Sequence, residues 1–208
     1  MACALKICGV TRAQDVDACV ELGVDAIGFN LWPGSPRALG SDVARTLVAR
    51  VPRPGPLRVG VVVDPSAEEL AMWIETLDLD AVQLHGTRTI ADYPKIAVAH
   101  VAVIRGTPTL GALPCALAKW ILLDAAVPGF GGRGVVHDWA WAASARATLA
   151  PTPVWLAGGL DPDNAAAAIA AVRPAGIDVA SGAETGVPGH KSLERIAALR
   201  AICDRVLV

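Results

Sequence analysis

The strongest constraint in this sequence is an alternation that runs from end to end. A short apolar run of strand length is followed by a polar or glycine-bearing turn, and then by a helical pattern. The first run is Leu5–Cys8, followed by Gly9 and a helix opening at Thr11, with Gln14 three residues on as a capping box. Val16, Cys19, Val20 and Gly23 follow helical spacing, which makes Cys19 a core residue. A second strand over about Ala26–Leu31 leads through the loop Trp32–Arg37 to a helix that opens near Ser41 and stops before Pro52. The third strand, Arg58–Val63, is dominated by valine, as a parallel strand covered on both faces requires. Its helix opens on a Ser66–Glu69 capping box, and Leu70, Trp73, Ile74 and Leu77 share one face.

The pattern continues with strands at Ala81–Leu84, Val98–Ile104, Trp120–Leu123, Val154–Ala157 and Ile177–Ala180. The helix of the fifth unit is the weakest, because Pro108 and Pro114 bracket little periodic pattern. Asp161-Pro162 supplies an N-cap and a first-turn proline for an alanine-rich helix, and Leu193, Ile196, Leu199 and Cys203 mark the last one. Eight such units imply a single (β/α)8-barrel domain over residues 1–208, with a doubly wound open sheet as the alternative.

Composition narrows the partners. At 53% hydrophobic residues the chain can fill one sizeable core, and its net charge of −2, with Lys and Arg scattered, offers no footprint for nucleic acid or an anionic membrane. No apolar run reaches spanning length and no leader pattern opens the chain, so a soluble protein is expected. Five cysteines (Cys3, Cys8, Cys19, Cys115, Cys203) without a C-x-x-C pair suggest neither a disulfide framework nor a zinc site. A reducing cytoplasm fits. His100, His137 and His190 lack ligand-like spacing, so no metal and no cofactor is expected.

Every polar feature that stands out lies at or just past the carboxyl end of a proposed strand, which is the catalytic face of a barrel. These are Cys8, Arg37, His85, Arg105, Asp124 and the pairs Gly158-Gly159 and Ser181-Gly182. The two pairs follow strands seven and eight, where barrels commonly bind phosphate through backbone N–H groups. Taken singly, each has a plain structural alternative: ordinary turns, an inert buried thiol at Cys8, a capping carboxylate at Asp124, a solvated charge at Arg37. Their joint placement points to a phosphorylated small molecule. Gln83 and His85 share a face two residues apart and enter as supporting groups. Lys6 points the same way as Cys8, and strand eight closes on strand one, so Lys6 is expected to pair with Asp178 beneath the site.

The motifs along the chain, in order, are Lys6-Ile7-Cys8-Gly9 with Thr11, Gly28-Phe29 with Ser35-Pro36-Arg37, and Val82 through Gly86. Leu123-Asp124 with Gly131 through Gly134, Leu156 through Leu160, and Asp178 through Gly182 follow. Together they resemble the successive signatures of the phosphoribosylanthranilate isomerase family of tryptophan biosynthesis, over essentially the whole chain. That resemblance implies an Amadori rearrangement of N-(5-phosphoribosyl)anthranilate, with Asp124 as the general acid toward the ring oxygen and Cys8 as the base at the sugar C2. It also implies that Arg37 holds the anthranilate carboxylate and that the protein works as a monomer or homodimer. A thiolate base calls for an electropositive setting, and an acid at neutral pH for a desolvated one.

Two departures from the family pattern are Ala38, where a bulky aromatic is common, and Ala180, where serine is usual. The competing readings are another phosphosugar-processing barrel, such as an epimerase or a histidine-pathway isomerase, and a phosphosugar-binding barrel without catalysis. A metal-dependent epimerase needs clustered His and carboxylate ligands at strand ends, and simple binding needs only the phosphate loops.

Overall fold

The computed structural model describes residues 3–93, 96, 98–112, 118–125 and 138–205. Its eight strands are all parallel and pair in chain order, the last closing on the first. They are β1 (Ala4–Cys8), β2 (Ala26–Asn30), β3 (Leu57–Val63), β4 (Ala81–His85), β5 (Ala99–Arg105), β6 (Trp120–Asp124), β7 (Val154–Leu156) and β8 (Gly176–Val179). Closure removes both sheet edges and excludes the open-sheet alternative.

Among the described residues six α-helices surround the barrel: α1 (Ala13–Glu21), α2 (Ser41–Val48), α3 (Ala67–Leu77), α4 (Trp139–Thr148), α5 (Ala165–Val172) and α6 (Leu193–Arg205). Their inward faces meet the outward faces of the strands in a core that includes Leu5, Ile7, Val16, Cys19, Ile169 and Leu199, all fully buried. Each fully buried aliphatic side chain contributes about 1.5–3 kcal/mol relative to exposure, so this layer is the main source of stability. The barrel interior is filled separately. Trp120 and Trp155 stack with ring centroids 4.7 Å apart and close its lower half, while Val59, Val101 and Leu122 complete the plug.

The Ser66–Glu69 capping box forms as expected, with Ser66 Oγ accepting from the Glu69 N–H and the Glu69 carboxylate accepting from the Ser66 N–H. Four expectations need correction. Thr11 does not cap α1, whose N-cap is Arg12, because its hydroxyl donates instead to the Gly189 carbonyl at 2.8 Å. After β4 and β5 the described residues hold only 3-10 turns, Ile90–Asp92 and Leu110–Ala112. The alanine-rich helix begins at Ala165, after a turn in which the Asp161 carboxylate accepts from the Asp163 and Asn164 N–H groups. Leu193 is exposed, while Ile196, Leu199 and Cys203 are buried. Cys3, Cys8, Cys19 and Cys203 are free thiols. Among the described residues no helix is long and apolar enough to cross a membrane.

Candidate active site

Strand period places Lys6 and Cys8 of β1, Gln83 and His85 of β4, Leu122 and Asp124 of β6, and Asp178 of β8 on the inside of the barrel. At the carboxyl ends these side chains open onto one cavity of about 200 Å³, lined among others by Cys8, Arg37, Gln83, His85, Asp124 and Asp178. Gly158, Gly159, Ala180 and Ser181 complete its far wall.

Lys6 and Asp178 are register partners across the β1–β8 seam, and their side chains form the expected ion pair at 2.7 Å, fully buried at Lys6. The Lys6 ammonium also donates to Gln83 Oε1 at 3.0 Å. That fixes the amide so that its Nε2 faces His85 Nε2 at 2.8 Å. Burial is the largest single effect and disfavours the Lys6 ammonium, but Asp178 and Cys8 together outweigh it and the pKa ends above its usual value. Burial, reinforced by Lys6 and Arg105, pushes His85 down to about 3, so the imidazole is neutral at any working pH. Asp178 Oδ1 has no hydrogen-bond partner among the described residues.

Asp124 meets the requirement for an acid. Burial and then the negative charge of Asp178 push its carboxyl up to about 6, against the pull of Arg105, its register partner on β5. At pH 7 an ordinary carboxyl near 3.9 is protonated in roughly one molecule in a thousand, and one near 6 in about one in ten. Cys8 departs from expectation. The electropositive setting is present, since Lys6 and Lys191 both lower the thiol, yet burial is the larger effect and leaves it above its usual value. Cys8 therefore rests as a thiol, not a preformed thiolate.

Arg37 is neither solvated nor free to meet a ligand alone. It is 7% exposed, and its Nε and Nη2 grip Glu184 through two parallel bonds of 2.6 and 2.8 Å. Glu184 also accepts from Lys191 Nζ at 2.9 Å and from the Gly189 N–H at 2.8 Å. Sequence reasoning missed both Glu184 and Lys191. Their signal was a carboxylate and a lysine just past β8, but nothing local tied either to a loop after β2.

The two phosphate loops differ in detail. Gly158 has φ +94°, and a Cβ there would lie 2.6 Å from the Ala125 Cβ, so only glycine brings this backbone to the cavity. Gly158, Gly159 and Ser181 line the cavity. Gly182 sits behind them, where a Cβ would collide with the Leu160 carbonyl. Trp32 lines the mouth beside Arg37. Ala38 is exposed, away from the cavity wall, and Ala180 lines it while its carbonyl accepts from Lys191 Nζ at 2.9 Å. The glycine-rich run 128–134, with Arg133, as well as Pro114, Cys115 and His137, lie outside the described residues. Among the described residues no cluster of three His, Cys, Asp or Glu side chains could hold a metal ion.

A closed parallel barrel with a desolvated acid, a thiol and a cationic cluster at the carboxyl ends of its strands defines the class. It is a (β/α)8-barrel enzyme equipped for proton transfer on a small anion. Residues 5–201 match the family described as N-(5'-phosphoribosyl)anthranilate (PRA) isomerase, and the chain belongs to that family. The N-(5'-phosphoribosyl)anthranilate isomerase of Chromohalobacter salexigens is 40% identical over 97% of this chain and 93% of that relative. The crystal structure of phosphoribosyl anthranilate isomerase from Thermotoga maritima superposes with a TM-score of 0.85 at 32% identity, covering 98% of this chain and all of the other. A phosphoribosyl anthranilate isomerase solved in complex with reduced 1-(o-carboxyphenylamino)-1-deoxyribulose 5-phosphate gives a TM-score of 0.82 at 30% identity, with the same coverage.

Proposed function

We propose that this protein isomerises N-(5'-phosphoribosyl)anthranilate to 1-(2-carboxyphenylamino)-1-deoxyribulose 5-phosphate in tryptophan biosynthesis, by general acid–base catalysis. The observation that carries the mechanism is that Cys8 and Asp124, from opposite sides of the barrel, open onto one cavity together with Gly158, Gly159 and Ser181. Asp124 donates its proton to the furanose oxygen as the C1–O bond breaks, giving the open-chain iminium. Cys8, once deprotonated, takes the proton from C2; the C–H electron pair moves into the C1–C2 bond while the C1=N π pair returns to nitrogen, giving a neutral enolamine. Protonation at C1, with loss of the C2 hydroxyl proton as C2=O forms, then yields the aminoketose. The raised carboxyl of Asp124 supports the first step, and the ammonium of Lys6 favours the thiolate needed for the second.

Arg37, held by Glu184, faces the anthranilate carboxylate, and Trp32 borders its ring. The backbone of Gly158, Gly159, Ser181 and Gly182 takes the phosphate, while neutral His85 and Gln83 shape the sugar's side of the cavity. The protein works in the cytoplasm as a monomer or homodimer.

The test is turnover of N-(5'-phosphoribosyl)anthranilate by the purified protein, with the product identified by mass and NMR. We expect product at a rate typical of an enzyme, at or above about 1 s⁻¹, and no change when a chelator is added. Failure to form product would overturn the assignment, and a rate abolished by the chelator would overturn the metal-free mechanism.

A further inference from the structure

Glu184 and Lys191 face each other as an isolated antiparallel bridge, so the segment after β8 folds back on itself. Its return is pinned to α1. Thr11 donates to the Gly189 carbonyl, the Lys191 N–H donates to Asp15 Oδ2 at 2.9 Å, and Arg12 donates to the Lys191 carbonyl at 3.0 Å. The Glu184 carboxylate is thereby delivered to Arg37, which comes from the other side of β1, in the loop after β2. One carboxylate would be enough to neutralise Arg37. The cluster holds a second buried cation, Lys191, so among the described residues two positive charges face one negative charge and the sum is +1. A buried excess charge is costly in an empty site and is relieved when an anion arrives.

Cys8 lies against this cluster. From its own strand it faces Lys6, from β8 Asp178, and from the segment after β8 Lys191 and its partner Glu184. Arg37 approaches from the loop after β2. β2 itself contributes only Gly28, where a Cβ would lie 2.8 Å from the thiol sulfur.

We propose that Glu184 and Lys191 are positioning residues of this site: Glu184 fixes the plane of the Arg37 guanidinium for an incoming carboxylate, and Lys191 keeps the cluster one positive charge in excess beside Cys8. The first half rests on the reading of Arg37 given above; the second does not. An oriented guanidinium grips a carboxylate through two bonds at little entropic cost, which a swinging one cannot do. The excess charge favours two anions in turn, the substrate carboxylate and the Cys8 thiolate.

The test separates charge from orientation. The pH dependence of Cys8 alkylation by iodoacetamide, read peptide by peptide by mass spectrometry on the full chain, gives the thiol titration without reference to activity. Lys191→Met removes the excess and should move the midpoint up. Glu184→Gln doubles it and should move the midpoint down. The double variant retains only Arg37, restoring +1, and should return the midpoint close to that of the parent, as should Lys191→Arg alone. In turnover of N-(5'-phosphoribosyl)anthranilate, the double variant should still raise KM by about tenfold or more, with kcat changed far less, because Arg37 is no longer held.

Midpoints that stay fixed, or that move the same way in both single variants, would overturn the charge role. A double variant with unchanged KM would overturn the orienting role. If one single variant fails to fold, the shift of the other, with its return toward the parent value in the double variant, still decides the charge role, and KM of the double variant still decides the orienting role. Opposite shifts in a protein that does not turn over the substrate would uphold the charge role and sink the isomerase reading.

Discussion

Asp124→Asn is expected to lower kcat for N-(5'-phosphoribosyl)anthranilate by at least about a hundredfold while leaving the fold unchanged, the usual scale for losing a positioned acid. Asparagine keeps the shape of the side chain but has no proton to give to the ring oxygen. The substitution also removes a carboxyl that burial and Asp178 strain toward neutrality, so the barrel has no electrostatic reason to lose stability. Cys8→Ala should fall in the same range, since no other group on β1 could take the C2 proton; Lys6 is committed to Asp178 and Gln83. The comparison is steady-state kinetics with unfolding midpoints measured alongside. Near-normal kcat in a folded Asp124→Asn protein would remove Asp124 from the mechanism.

Lys6→Met should act on stability. It is isosteric in length and removes the ammonium that Asp178 Oδ2 contacts at 2.7 Å. Asp178 Oδ1 already has no partner among the described residues, so the carboxylate would be left buried without either. Breaking a buried pair from one side typically costs about 3–5 kcal/mol, a large share of the roughly 5–15 kcal/mol that holds a domain folded. Urea unfolding should show that loss as a lower midpoint at unchanged slope. Removing both charges, as in Lys6→Met with Asp178→Leu, should recover much of it. A loss under about 1 kcal/mol in the single variant would mean that water reaches the pair.

The barrel was legible because its causes are local and repeated. Each apolar run of β1 to β8 carries its own strand signal, and the Ser66–Glu69 cap is complete within four residues. The Lys6–Asp178 pair was legible as well, because closure of a parallel barrel puts strand eight beside strand one and strand period does the rest. Thr11 misled because a hydroxyl chooses between a local cap and a distant carbonyl, and Gly189 lies 178 positions away. The same blindness hid the Glu184–Lys191 clamp on Arg37, which joins loops after β2 and β8. The sign of the Cys8 shift was missed for an energetic reason. Sequence shows the lysine two residues away, but only the fold shows that burial of this cavity-lining thiol outweighs it. The helix absent after β5 from the described residues follows from weak periodicity there, which Pro108 and Pro114 already hinted at, whereas the short turn after β4 carried no such sign.

The layout of the site is tested most directly by a crystal structure of this protein with reduced 1-(o-carboxyphenylamino)-1-deoxyribulose 5-phosphate. That layout puts phosphate oxygens within about 2.7–3.2 Å of backbone nitrogens in the loops of Gly158-Gly159 and Ser181-Gly182. It also puts the carboxylate on Arg37, the aromatic ring beside Trp32, and the ribulose carbons between Cys8 and Asp124. A ligand bound with its phosphate away from both loops, or with Cys8 and Asp124 on the same side of the sugar and out of reach of C2 and its oxygen, would contradict it.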